Sequence, residues 1–130
     1  MQITDEEFEK YLSEAIDNIP APYNQPLRNV AFILEDEPTP QQRLAARLRP
    51  DQTLLGLYEG VPLPRRGGAE KIIPDKITIF KWPLLASSRS RQELRRNIGH
   101  TVWHETAHYF GLDHAKIDEL DSKADNNYQG

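Results

Sequence analysis

The chain has 130 residues, enough for one domain with a core of its own and too few for two ordinary ones. It is 28% charged and 38% hydrophobic, with a net charge of −4 and a pI near 5.5; this balance suits a globular protein and argues against nucleic acid as the main partner, since phosphate binding asks for a basic face. Cysteine is absent, so disulfides and thiolate metal sites are excluded, and no run has the length of a membrane span or the apolar core of a secretory leader. A soluble, cytoplasmic protein with no membrane partner is expected.

Thr4 to Ile19 reads as a helix: Thr4 and Glu7 make a capping box, Phe8, Tyr11, Leu12, Ala15, Ile16 and Ile19 recur at helical spacing, and Pro20 and Pro22 end it. Asn29 to Glu35 is a short apolar run, read as a buried strand and stopped by Asp36-Glu37-Pro38. Gln41 to Arg49 suggests one or two helical turns, with Arg43, Arg47 and Arg49 on a solvated face. Leu54 to Gly60 reads as a second strand, in which Gly56 signals a bulge or a close backbone approach. Val61 to Glu70, with two prolines and Gly67-Gly68, predicts a mobile loop. Lys76 to Lys81 alternates polar and apolar residues, as a half-buried strand does. Pro83 to Ala86 suggests a short helical turn. Ser90 and Glu93 then open a helix from about Arg91 to Phe110, apolar on several sides in its second half and therefore expected in the centre of the domain. Beyond it, Ile117 and Leu120 suffice for one final turn, and the polar residues from Asp121 onward are expected to fray.

The last part of the long helix carries the chemistry. His104 to His114 reads H-E-x-x-H-x-x-G-x-x-H. Residues four apart lie on one helix face, so His104 and His108 can offer two imidazoles to one metal ion. Gly111 can end the helix in the left-handed conformation, reversing the chain and bringing His114 in as a third ligand. Three protein ligands leave the fourth position of a tetrahedral zinc open to water. Glu105 sits about 100° round the helix from His104, beside that position. With five positions fixed, chance gives such a match in roughly one chain of this length in 10⁵. All four histidines of the chain fall between His100 and His114, which further disfavours a helix with incidental histidines. His100, one turn before His104, is expected to support the site rather than to ligate, because a straight helix does not easily bring three successive turns to one ion.

The three strand segments and the motif helix resemble the zincin metallopeptidases, and His104 to His114 is similar to the metzincin pattern. Almost the whole chain resembles the small bacterial zincin-like metallopeptidase family, through Phe8 to Leu12, Val30 to Pro38, Leu55 to Leu63, Ile77 to Phe80 and the H-E-x-x-H helix. The resemblance implies an α+β, zincin-like domain spanning residues 1–130, with a small mixed sheet packed on an N-terminal helix and a buried motif-bearing helix, and a single Zn²⁺. Two departures stand out. Many members of that family carry Asp at the third-ligand position, where this chain has His114 next to Asp113. Metzincins also carry a Met-turn, whereas the only methionine here is Met1. The reading is a zinc metallopeptidase, expected to be monomeric, acting on a peptide or protein. Zinc on His104, His108 and His114 lowers the pKa of its water towards ~7, and Glu105, the candidate catalytic residue, takes the proton and passes it to the leaving amine. Leu54 to Gly60 is the candidate rim for an extended substrate, and Tyr58 or Tyr128 is a candidate to assist the oxyanion. Two alternatives stay open: a catalytically weak or inactive zinc-binding domain of zincin fold, and a zinc-dependent endoribonuclease, whose ending G-x-D-H matches Gly111 to His114.

Overall fold

The computed structural model describes residues 1–24, 27, 30–61 and 75–125, without the side chains of His114 and of 122–125. The predicted loop beyond Val61 and the candidate Tyr128 lie outside the described residues. Within them the order is α1 (Asp5–Asp17), β1 (Val30–Glu35), α2 (Pro40–Ala45), β2 (Gly56–Glu59), β3 (Asp75–Phe80), α3 (Lys81–Ala86), α4 (Arg91–Phe110) and α5 (His114–Asp125). The architecture is α+β, as expected.

Helix α1 opens with the expected capping box: Glu7 N–H donates to Thr4 Oγ1 at 3.1 Å, and Thr4 N–H donates to Glu7 Oε1 at 3.1 Å. Its buried face is Phe8, Leu12 and Ala15, and it packs along α4. Ion pairs tie the same two helices together at their rims, Arg91 to Glu7 and Arg95 to Glu14. Helix α2 starts one residue earlier than the sequence reading placed it. Thr39 and Gln42 form a second full capping box, with Pro40 in the first turn, where its missing N–H costs nothing. Arg43 is more than solvated surface: its guanidinium donates to the carbonyls of Arg49 at 3.0 Å and Gln52 at 2.8 Å, organising the turn that follows.

The three strands lie in the order β1-β3-β2, with β1 parallel and β2 antiparallel to β3. This placement corrects the half-buried reading of β3. Five of its six residues are buried, and only Lys76 reaches the surface. A central strand has neighbours on both edges, and here both faces are covered. Ile77 and Ile79 join the core against α4, while α2 stands over the Leu57–Glu59–Lys76 side, with Gln42 Nε2 donating to Glu59 Oε1 at 2.9 Å. The alternation in the sequence is real, but Thr78 and Asp75 are polar residues inside, not outside.

Lys81 closes the join between β3 and α3. Its ammonium meets Asp5 at 2.9 Å and Asp36 at 3.1 Å, while Trp82 N–H donates to Asp36 O at 2.9 Å. The hydrogen bond to Asp5, and then Asp36, hold the Lys81 pKa above its usual value against the opposing effect of desolvation. A raised folded-state pKa gives stability that is present below the unfolded lysine pKa of about 10.4 and lost as pH rises through the folded value. Lys81→Met is therefore expected to unfold more easily than wild type by about 0.5–1 kcal/mol at pH 8, the scale of partly exposed ion pairs. In urea titrations the gap should close once pH has risen through the folded-state pKa of Lys81; a gap that persists there would mean that packing, not charge, is responsible.

Helix α5 is the second correction. In place of one turn and a frayed end, it runs twelve residues from His114 to Asp125. Ile117 and Leu120 enter the core, and Trp103 of α4 donates its indole N–H to Ile117 O at 3.1 Å. No described helix is long and apolar enough to cross a membrane.

Candidate metal centre

Helix α4 has the bounds the sequence predicts. Ser90 Oγ accepts from Glu93 N–H at 3.1 Å, one of the two bonds of the expected capping box. Gly111, at φ 69 and ψ 28, ends the helix in the left-handed conformation. Gly111 N–H donates to His108 O at 3.0 Å and Leu112 N–H to Ala107 O at 3.1 Å, the paired bonds of a Schellman termination. These bonds satisfy the carbonyls of the turn that carries His108 and fix where that turn stops.

On that turn His104 and His108 lie side by side with tilted rings, their centroids 4.6 Å apart. Glu105 joins them: one ligand atom from each of His104, Glu105 and His108 can be chosen so that all lie within 4.8 Å of one another. The Glu105 side chain points towards β2 and is 7% exposed. Its Oε1 accepts from Tyr58 N–H at 2.9 Å and lies 3.5 Å from His108 Nδ1. Burial pushes the Glu105 carboxyl above its ordinary pKa, while His104 and the Tyr58 N–H act in the opposite direction.

The approach of β2 to α4 that makes this possible depends on Gly56. A Cβ there would meet Thr101 Cγ2 at 2.5 Å, Thr78 O at 3.2 Å and Glu105 Cγ at 3.4 Å. The close backbone approach expected at Gly56 is therefore the contact between the strand and the motif helix. Because Phe80 N–H bonds to Leu55 O, alternation along β2 turns the Tyr58 N–H away from β3 and towards Glu105.

The model of the zincin-like metallopeptidase family matches residues 27–124, most of the chain. The chain belongs to that family. No curated protein matches it. Membership in the zincin-like family implies a metal ion, typically zinc, and the side chains present fit one. Two imidazoles and a carboxylate converge within 4.8 Å, and a largely buried carboxylate is a group that a cation stabilises.

The remaining site residues of this zincin-like domain fall into place unevenly. The His114 side chain lies outside the described residues; its backbone begins α5 directly after the Gly111 turn. Asp113 has an occupation of its own: Oδ1 accepts from Lys116 N–H at 2.8 Å, capping α5. His100 stands apart from the cluster, with Nε2 3.8 Å from Asp121 Oδ1. The Tyr58 hydroxyl donates to Asp75 Oδ2 at 2.8 Å, which ties it to a fully buried carboxylate. What sequence reading missed at Tyr58 is the backbone N–H, which holds Glu105. A main-chain donor has no residue type to signal it. Asp75, too, carried no signal beyond being an acid at the start of a strand.

Proposed function

We propose that this protein is a zinc-dependent metallopeptidase in which His104, His108 and His114 hold the ion and Glu105 moves the proton. The observation that carries the reading is the setting of Glu105. A general base needs one oxygen held and the other free to reach the reacting water. Glu105 has Oε1 fixed by Tyr58 N–H, in a buried position beside two imidazoles on a rigid helix. A zinc ion at this site supplies a Lewis acid, able to lower the pKa of water towards ~7 and to polarise a carbonyl. Glu105 Oε2 accepts the proton of the attacking water and returns it to the leaving amine. Burial, which disfavours the charged carboxylate, makes Glu105 a better proton acceptor than an exposed one. Among the described residues β2 has no strand on its outer side, and an extended peptide would add along the part of that edge not used by the Tyr58 N–H, which Glu105 holds.

Metal analysis and peptide cleavage test the reading together. One zinc per chain is expected in the wild type, with loss of stoichiometric binding in His104→Ala, in His108→Ala and in His114→Ala, but not in Asp113→Ala. A broad peptide library should be cut by the zinc-loaded protein and spared after chelation. Stoichiometric zinc with no cleavage of any peptide would leave a zinc-binding domain without peptidase activity; cleavage of structured RNA without proteolysis would make the enzyme a nuclease.

A further inference from the structure

Tyr58 is attached to the rest of the domain at three points. Its backbone N–H donates to Glu105 Oε1 at 2.9 Å. Its ring meets that of Tyr109, the neighbour of His108 on α4, edge to face, with centroids 6.0 Å apart. Its hydroxyl donates to Asp75 Oδ2 at 2.8 Å. Asp75 is fully buried at the start of β3. Gly60 completes the arrangement. It stands one residue beyond Glu59, the partner of Lys76, at φ 155, and a Cβ there would meet Asp75 Oδ1 at 2.3 Å and the Tyr58 hydroxyl oxygen at 2.9 Å. The chain at Gly60 therefore lies directly against the hydroxyl–carboxylate pair, in space that a side chain would need.

We propose that Asp75 is a positioning residue: by holding the Tyr58 hydroxyl, it keeps the Tyr58 backbone N–H on Glu105. This rests on the reading of Glu105 as the proton acceptor. The physical case has three parts. First, a carboxylate in a fully buried position is costly unless hydrogen-bonded, and an apolar residue would pack the end of a central strand at lower cost. Packing alone gives no reason for an acid there. Second, β2 is four residues long and, among the described residues, is paired along one edge only. Its other edge is the one from which the Tyr58 N–H reaches Glu105, and the ladder with β3 does not hold that edge in place. The bond from a hydroxyl to a carboxylate is strong and directional, and a tyrosine has few rotatable bonds, so fixing its far end restrains its main chain. The contact with Tyr109 restrains the ring between those two ends. Third, a hydroxyl has one proton to donate, and Asp75 takes it. The Tyr58 hydroxyl is thus engaged in holding the strand and does not serve as the donor to an oxyanion, the role the sequence suggested for it.

Amide hydrogen exchange in the zinc-loaded protein tests the proposal without relying on turnover. In Tyr58→Phe, which removes the hydroxyl and keeps the ring, the N–H of residue 58 should exchange roughly tenfold faster than in wild type, while the Ile77 and Ile79 amides of β3 stay within about twofold. Asp75→Ala, which takes this acceptor from the hydroxyl, should give the same result; if it does not fold, Tyr58→Phe decides. Unchanged exchange at residue 58 in either folded variant, equal loosening of β3, or failure of Tyr58→Phe to fold would each make the pair a structural pin and overturn the proposal. On peptides, Tyr58→Phe should lower kcat roughly tenfold with KM nearly unchanged and zinc retained. In a Glu105→Gln background the same change should cost under about twofold. An equal loss in both backgrounds would show that the hydroxyl does not act through Glu105. If exchange responds as expected and no peptide is cleaved by the wild type, the positioning of Glu105 stands and the peptidase reading falls. If peptides are cleaved and Tyr58→Phe retains full kcat, the peptidase reading stands and the proposal falls.

Discussion

Replacing Glu105 by Gln is expected to lower kcat/KM on peptides by roughly 10² to 10⁴, the range that a positioned proton acceptor contributes. The substitution keeps the shape and one acceptor oxygen, so the bond from Tyr58 N–H can remain. Zinc content should stay at the wild-type level, because the imidazoles of His104 and His108 are untouched. Stability should not fall either. The folded-state pKa of Glu105 is raised, so its favourable contribution belongs to low pH and is lost as pH rises through the folded value. In the metal-free protein at pH 7, a neutral amide in that buried position should melt at the same temperature as wild type or above it. Lost turnover with retained zinc and retained stability marks a chemical role. Equal turnover in wild type and Glu105→Gln would remove Glu105 from the mechanism.

Trp103→Ala is expected to have the largest effect on folding, a loss of about 3–5 kcal/mol. Trp103 is 2% exposed, lies 5.5 Å from the Tyr23 ring and donates to Ile117 O, so it joins the motif helix to α5. Deleting it leaves a cavity and removes the side-chain hydrogen bond to Ile117 O at once. A drop of this size is a large part of the 5–15 kcal/mol that holds a typical domain together. For a chain of this length it corresponds to roughly 11–18 °C in Tm. Trp103→Phe separates the two contributions: it restores most of the packing and loses only the hydrogen bond, so a loss of about 0.5–1.5 kcal/mol should remain. Hydrogen exchange supplies a local reading, because α5 should open before α4 in the Phe variant. Uniform exchange across both helices would show that the indole N–H does not hold α5 in place.

Two readings of the sequence went astray for the same physical reason. Helix α5 has only Ile117 and Leu120 as buried apolar residues among the described ones, too few for a periodic pattern to show. Its stability comes from α4, through Trp103. Strand β3 alternates as a half-buried strand does, yet Asp75 and Thr78 are buried. Their environment is set by which strands flank β3, and that order is a property of the whole sheet. The second capping box differs, because Thr39-Pro40-Gln41-Gln42 carries its signal openly and reading the helix from Gln41 passed over it.

The sequence alone determined the ends of α4, because Ser90 and Gly111 act locally, through one side-chain bond and one φ angle. It also determined that His104 and His108 share a face, because helical spacing guarantees it. It marked Gly56 as a point of close approach, since only a missing side chain permits one. Tertiary structure decided what stands opposite the motif. It placed the Tyr58 N–H against Glu105, buried that carboxylate, and brought Asp121 of α5 beside His100 of α4. Each of these contacts joins residues that lie 21 to 47 positions apart. Local propensity cannot encode such pairs, which exist only once β2 and α5 have packed on α4.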